Sequence, residues 1–500
     1  MPETPGGAAV PSSPGYPSPQ PYQGSAPPAP AARAPRQPLL PVLARADHRL
    51  AVGAVAGGVC LDIAGRAGLS TIAGTGMVLV AAGALLLSRR LRGLAAPLAV
   101  AAAAVFGMLL TLRASPWVIG PVTAAVVVLL LLGSSLGADR GDLATTFPAA
   151  GSRLVTAAAH VCAAPGMLAV RPGSSAAGRA RAVGRGVLIG APVILLVGWL
   201  LARADPVFRS WFDLAAVAQH VLLLLTGGWL VLGLCRAASA ARPAWPLPPC
   251  PALGAVEGCI ILGGLSAVYA AFTAAQLEAL SGAGHRILVT RGLTYAQYAR
   301  SGFFELLACA AITLLALLGV RACTRAGHPL LTALCAATIV LTLGVVVSAI
   351  RRLQLYEAAF GLTMLRLACL VAAGWIAVVF LLLGSTLVKR GLPQRYFPAA
   401  MVISALVAVA AWGISNPAAI VARTDLGRAH DGRPLDIGQV VRLGPDAVPA
   451  LVGALPLLSR PDSAGLRRAL CTGRPARVGG ATLNLSRRSA VMALVRLCGP

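Results

Sequence analysis

The sequence predicts an all-α, polytopic integral membrane bundle with about eleven transmembrane helices. A disordered Pro-rich arm precedes the bundle, and a small helical C-terminal domain follows it. Three observations carry this reading. Hydrophobic residues make up 57% of the 500 positions and charged residues only 12%, where soluble domains carry about 25% charged. The mean hydropathy is +0.79. The apolar residues are gathered into runs close to the ~20 residues that a helix needs to cross a bilayer. A soluble core needs far less apolar surface, so lipid is the solvent for most of the chain. An ordinary cytosolic enzyme, a disulfide-stapled secreted domain and a wholly disordered chain are excluded.

Residues 1–46 hold 13 of the 37 prolines, with Gly, Ser, Gln and Ala between them. Such a segment packs no core and reads as a disordered cytoplasmic arm. It lacks the basic start, apolar stretch and cleavage site of a signal peptide. The membrane domain spans 47–415. Its apolar runs fall near 50–65, 68–88, 93–112, 116–136, 185–203, 214–235, 253–277, 301–320, 329–350, 363–385 and 397–415. The first is short, carries Asp62 and forms a tight hairpin with the second around Arg66. Residues 146–170 are interrupted by Pro148, Arg153 and Pro165 and suit an amphipathic surface helix better than a span. The tail, 416–500, has ordinary polarity. Helices are expected over 435–443, 445–458, 463–471 and 485–497. Pro445 and Asp446 suit the first turn and positive dipole of a helix.

The net charge of +26 comes from 41 Arg and one Lys against 16 acids. The arginines lie mainly between the apolar runs, where they set orientation and meet anionic lipid. The partner read from this charge is therefore the bilayer and not nucleic acid. With the N-terminus inside, the inner segments carry 20 Arg/Lys and the short outer loops carry nine. That asymmetry places the N-terminus in the cytoplasm of a cell membrane, and an odd span count places the tail outside. A protein partner has access to residues 1–46 or 416–500. Of the 11 cysteines, seven lie in or beside apolar runs as packing residues. Cys471 and Cys498 fall in the tail, and their pairing is open, since reach is not legible in sequence. There is no CxxC pair or Cys/His zinc spacing, so no metal or other cofactor is expected.

The acids are informative because they are few. Beyond Glu3 the only glutamates are Glu257, Glu278, Glu305 and Glu357. An acid within a span costs roughly 2.5–3.5 kcal/mol and normally faces a partner or a cavity. Two segments concentrate polar side chains. In the first, Tyr295, Tyr298, Gly302 and Glu305 are spaced to line one helical face, with Arg300 beside them. In the second, Arg352, Tyr356, Thr363 and Arg366 share a face, with Glu357 adjacent. Helix alternation places both segments on one membrane side. The expected polar cluster is therefore Tyr295, Tyr298, Arg300, Glu305, Arg352, Tyr356, Glu357, Thr363 and Arg366, centred on a Glu305–Arg366 ion pair. A buried pair of this kind often serves packing register.

Enzyme motifs are missing: no HExxH, Walker loop, kinase set or GxSxG elbow is present. Asp205 and Asp213 are too far apart to make a strong metal pair, and His160 and His220 read as satisfied packing residues. Nor is there a convincing internal repeat of the transporter kind. The leading reading is a non-enzymatic membrane scaffold or sensor. The alternatives are a transporter with a site around Glu305 and Arg366, and an envelope-modifying membrane enzyme.

Tyr295–Leu306 reads TyrAlaGlnTyrAlaArgSerGlyPhePheGluLeu, and Arg352–Arg366 reads ArgLeuGlnLeuTyrGluAlaAlaPheGlyLeuThrMetLeuArg. At these stretches the chain resembles an uncharacterised family of polytopic bacterial membrane proteins, a domain of unknown function. Asn416–Arg423, Leu435-Asp436 and Pro445–Leu451 resemble its post-membrane pattern, with Ala418 and Thr424 standing where that pattern has Asp and Asn. The resemblance implies a multi-pass membrane protein. It implies no established activity, substrate or cofactor.

Overall fold

The computed structural model describes residues 48–88, 91, 93–138, 147–163, 197, 214–239, 253–280, 303–324, 328–388, 391–472 and 479–499. All the regular elements among them are helices. In chain order they are α1 (His48–Ala67), α2 (Ile72–Leu87), α3 (Ala95–Leu112), α4 (Pro116–Ala138), α5 (Phe147–Cys162), α6 (Leu214–Ala237), α7 (Ala255–Leu280) and α8 (Phe303–Cys323). Then follow α9 (Pro329–Phe360), α10 (Met364–Ser385), α11 (Phe397–Ser415), α12 (Pro417–His430), α13 (Ile437–Val441), α14 (Val448–Ala454), α15 (Arg460–Thr472) and α16 (Leu485–Cys498).

Eight of these helices are long and apolar enough to cross a membrane: α3, α4 and α6–α11. The expected count of eleven is therefore not reached among the described residues, for three reasons. The run at 185–203 lies outside them. Helix α1 carries Asp62 and Arg66 and is not among the eight. Helix α2 has 16 residues, about 24 Å of rise against a hydrocarbon core of about 30 Å. The arm, 1–46, also lies outside the described residues.

Helix ends follow local chemistry. Pro329 opens α9, where its missing N–H costs nothing. Helix α9 runs for 32 residues, ten beyond the end of its apolar run, and stops at Gly361. That glycine has φ +83°, which a side-chain-bearing residue adopts only with strain. Thr363 then caps α10, its hydroxyl accepting from the Arg366 amide at 3.3 Å. Asn416, with φ 56°, ends α11 and caps α12 by accepting from the Ala419 amide at 3.2 Å.

The helices alternate in direction, and named contacts fix that alternation. Gly57 and Gly58 of α1 lie against Gly227 and Leu224 of α6. Asp62 meets His220 on the same pair, so α1 and α6 are antiparallel. Ser266–Thr338 and Gln276–Ser348 hydrogen bonds make α7 and α9 parallel. Tyr269 to Thr313, and the Leu253 amide to the Cys323 carbonyl, make α8 antiparallel to α7. The C-terminal helices dock at one end of this bundle. At that tail-side end lie the α1–α2 turn, the α3–α4 turn, the α9–α10 corner and the end of α11. By alternation, Leu280 of α7 and Phe303 of α8 lie there too.

Two large buried clusters, with a small third around Phe303, Ala349 and Leu353, form the core. One joins α2, α3, α4 and α6 to the tail, from Leu85, Val100 and Val122 through to Leu451 and Leu466. The other lies among α7–α10, around Leu262, Leu317, Val346 and Phe380. Within the second, hydroxyl pairs hold α7 to α8 and α9 in lipid, where small polar groups bridge helices.

Candidate functional site

The polar residues that the fold gathers lie on the tail-side end, where the last helices meet the membrane bundle. Two groups of contacts build this junction.

The first is at the α9–α10 corner. The last turn of α9 leaves carbonyls without intrahelical partners. Arg428 of α12 donates to the carbonyls of Glu357 (2.9 Å), Ala358 (2.8 Å) and Ala359 (3.3 Å). Arg366 donates to the Gly361 carbonyl, and its guanidinium lies 4.2 Å from the centre of the Tyr356 ring. Both arginines therefore cap a helix C-terminus, where positive charge is favoured. Asp425 of α12 completes the corner. Its carboxylate accepts from the Leu362 amide at 2.9 Å and from the Gln439 side chain at 3.3 Å. Gln439 also donates to the Leu362 carbonyl at 3.1 Å. Burial raises the Asp425 pKa above the usual carboxylate value, against the Leu362 amide, Arg428, Arg366 and Gln439, which pull it down. A Cβ on Gly361 would stand 2.9 Å from the Asp425 Oδ1, so only glycine lets α12 come this close.

The second group lies at the α3–α4 turn. Asp446 is 2% exposed. Its carboxylate accepts from the amides of Ala114 (3.0 and 3.1 Å) and Ser115 (2.6 Å), at the N-terminus of α4. The Asp446 carbonyl accepts from the Asn416 side chain at 2.9 Å. Arg113 donates to the carbonyls of Gly413 (2.8 Å) and Ile414 (2.6 Å), capping the end of α11. Asn484, fully buried, donates to the Ser70 and Arg113 carbonyls, both at 2.8 Å. The Ile72 amide in turn donates to the Leu483 carbonyl at 2.9 Å. Tail residues thus close both turns, Leu483 and Asn484 the α1–α2 turn and Asp446 and Asn484 the α3–α4 turn.

The expected cluster fares unevenly. Tyr295, Tyr298 and Arg300 lie outside the described residues. Tyr356, Glu357, Thr363 and Arg366 are gathered around one corner, and Arg352 lies about one turn before Tyr356 on α9. They do not share a continuous helical face, because Gly361 breaks the helix between Tyr356 and Thr363. The Glu305–Arg366 ion pair does not form. Glu305 is exposed in the first turn of α8, while Arg366 is drawn to the Gly361 carbonyl and the Tyr356 ring.

Asp446 sits where a helix dipole favours a carboxylate, as its sequence neighbourhood predicts, but the helix is α4 and not its own. Residues 445–447 form a turn before α14. Asp425, Arg428, Asn484 and Arg113 escape sequence reasoning altogether: each has a partner on the membrane helices or their turns 63 to 414 residues away, and their spacing forms no motif. His220 accords with its reading as a satisfied residue, at 2.6 Å from Asp62, which also meets Arg66 at 2.8 Å. Cys471 and Cys498 form a disulfide, with Cα atoms 5.8 Å apart. Among the described residues no three of His, Cys, Asp or Glu come together as a metal-binding group.

Apolar helices of spanning length, with a helical tail built onto one end of their bundle, define a polytopic membrane protein. The chain belongs to the family described as Domain of unknown function (DUF4153), whose sequence profile matches residues 76–454. No curated protein and no solved structure matches it.

Proposed function

We propose that this protein is a non-enzymatic membrane scaffold or sensor, whose tail-side face engages a partner or an envelope ligand. The supporting observation is the corner where Arg428, Asp425 and Gln439 of the tail hold Leu362 and the last carbonyls of α9. Through it, an event on the tail reaches the longest helix in the bundle. Tyr295, Tyr298, Arg300, Glu305, Arg352, Tyr356, Glu357, Thr363 and Arg366 are the residues assigned to that face. The arm, 1–46, is assigned to the cytoplasm, and the tail, 416–500, to the outside as a domain of its own. Eleven crossings account for this arrangement. A Cys471–Cys498 disulfide suits an oxidising compartment, which supports the outward tail.

Co-purification from membranes tests the reading. A protein or small molecule should be retained by the wild type and lost on Asp425→Ala, while Ser70→Ala, on the far side of the tail, retains it. Retention by all three proteins, or by none, would remove the scaffold or sensor reading.

A further inference from the structure

We propose that the cleft between α16 and the tail-side ends of α3 and α11 binds an anionic glycerophospholipid, with the phosphate on Arg113. The cleft has a volume of about 310 Å³ and is lined by Arg113, Ser486 and Ser489 together with Leu112, Ile414 and Leu485. Arg113 is half-buried and held in place. Its Nε and Nη2 are spent on the Gly413 and Ile414 carbonyls, and its Nη1 edge takes no part in those two bonds. Its partners are carbonyls and not a carboxylate, so the full positive charge persists beside the cleft. An oriented guanidinium edge is the group that best fits a phosphate.

The headgroup preference follows from Asp446, which also lines the cleft. Its carboxylate is consumed by the Ala114 and Ser115 amides and offset by the N-terminal dipole of α4. It is also 2% exposed, so an ammonium group reaches little of it and a zwitterionic headgroup gains little there. The lipid assignment follows from the rim. Leu112, Ile414 and Leu485 are 41%, 67% and 42% exposed. Leu112 and Ile414 end two apolar helices, so the rim continues down the sides along which acyl chains lie. A free phosphate ion would make no use of that surface.

The test is native mass spectrometry on the full-length protein in mild detergent, supplied with phosphatidylglycerol, phosphatidylethanolamine or diacylglycerol. The wild type should hold one phosphatidylglycerol in preference to the other two. Arg113→Gln should lower that retention about tenfold, the usual scale for a charge-assisted hydrogen bond. Because Arg113 also caps α11, a second variant separates binding from folding. Ser489→Phe fills the cleft and leaves the Arg113, Asp446 and Asn484 contacts in place, since the Ser489 hydroxyl bonds only within its own helix. It should lose the lipid while keeping the wild-type unfolding temperature. Undiminished phosphatidylglycerol binding by Ser489→Phe, or equal retention of phosphatidylethanolamine, would overturn the proposal. Displacement of the lipid by excess inorganic phosphate would overturn the lipid assignment and leave a simple anion site.

Discussion

At Asp446 one side chain closes a helix that begins 330 positions earlier in the chain. The Ala114 and Ser115 amides are buried with it, so removing the carboxylate strands donors in a place that water does not reach. Asp446→Ala should cost about 1–3 kcal/mol, the scale for unsatisfied buried groups and lost helix caps. Asp446→Asn, which keeps an acceptor oxygen, should cost less. Thermal unfolding in detergent of the two variants checks the order. Asp425 makes a different prediction, because burial raises its pKa. Between the ordinary carboxylate value and the raised one, the folded chain keeps a proton that the unfolded chain has lost. This residue's contribution to stability therefore falls as pH rises through that window and levels off above it. Asp425→Asn removes the titration. The wild-type minus variant difference in unfolding temperature should shrink as pH rises from about 4 towards neutrality, and a flat difference would contradict the assignment.

Among the elements, α1 and α6 approach closely, because glycines leave their backbones bare. A Cβ added at Gly58 would stand 2.5 Å from the Leu224 carbonyl oxygen, and one at Gly57 would stand 2.6 Å from the Val231 side chain. Backbone cannot give way as a flexible side chain can. Gly58→Ala should therefore force the pair apart, at about 1–3 kcal/mol for an overpacked contact. Gly83→Ala, where a Cβ meets nothing within 4 Å, should leave the unfolding temperature unchanged. Parting the pair also stretches the Asp62–His220 contact, so the His220 ring resonances in NMR should move in Gly58→Ala and stay put in Gly83→Ala. Small residues let helices approach closely in lipid, but with 55 glycines in the chain Gly spacing is too frequent to single out which of them face a partner.

For the molecule as a whole, the tail and one half of the membrane bundle share a buried cluster, so docking of the tail and closure of the α1–α2 and α3–α4 turns belong together. The proposed orientation predicts opposite fates for two sites. A reporter after Gly391 should be active in the cytoplasm, and one after Pro500 outside. In intact cells, Cys471 and Cys498 should resist alkylation until reduced. Finding both reporters cytoplasmic, or both tail thiols free, would reverse the tail assignment.

Sequence alone determined the material of this protein: helices, lipid as their solvent, and most of their limits. Apolar run length is a local property that the bilayer thickness converts directly into a helix. It also marked the Arg352–Arg366 stretch as polar and set apart. Tertiary structure alone decided who holds whom. Glu305 was expected to meet Arg366, yet the unpaired carbonyls ending α9 and the Tyr356 ring lay nearer to that arginine, and Asp425 came from the tail to take the Leu362 amide. Helix ends create unsatisfied donors and acceptors wherever they fall. The side chains that satisfy them are chosen by proximity in space, which the order of residues along this chain does not record.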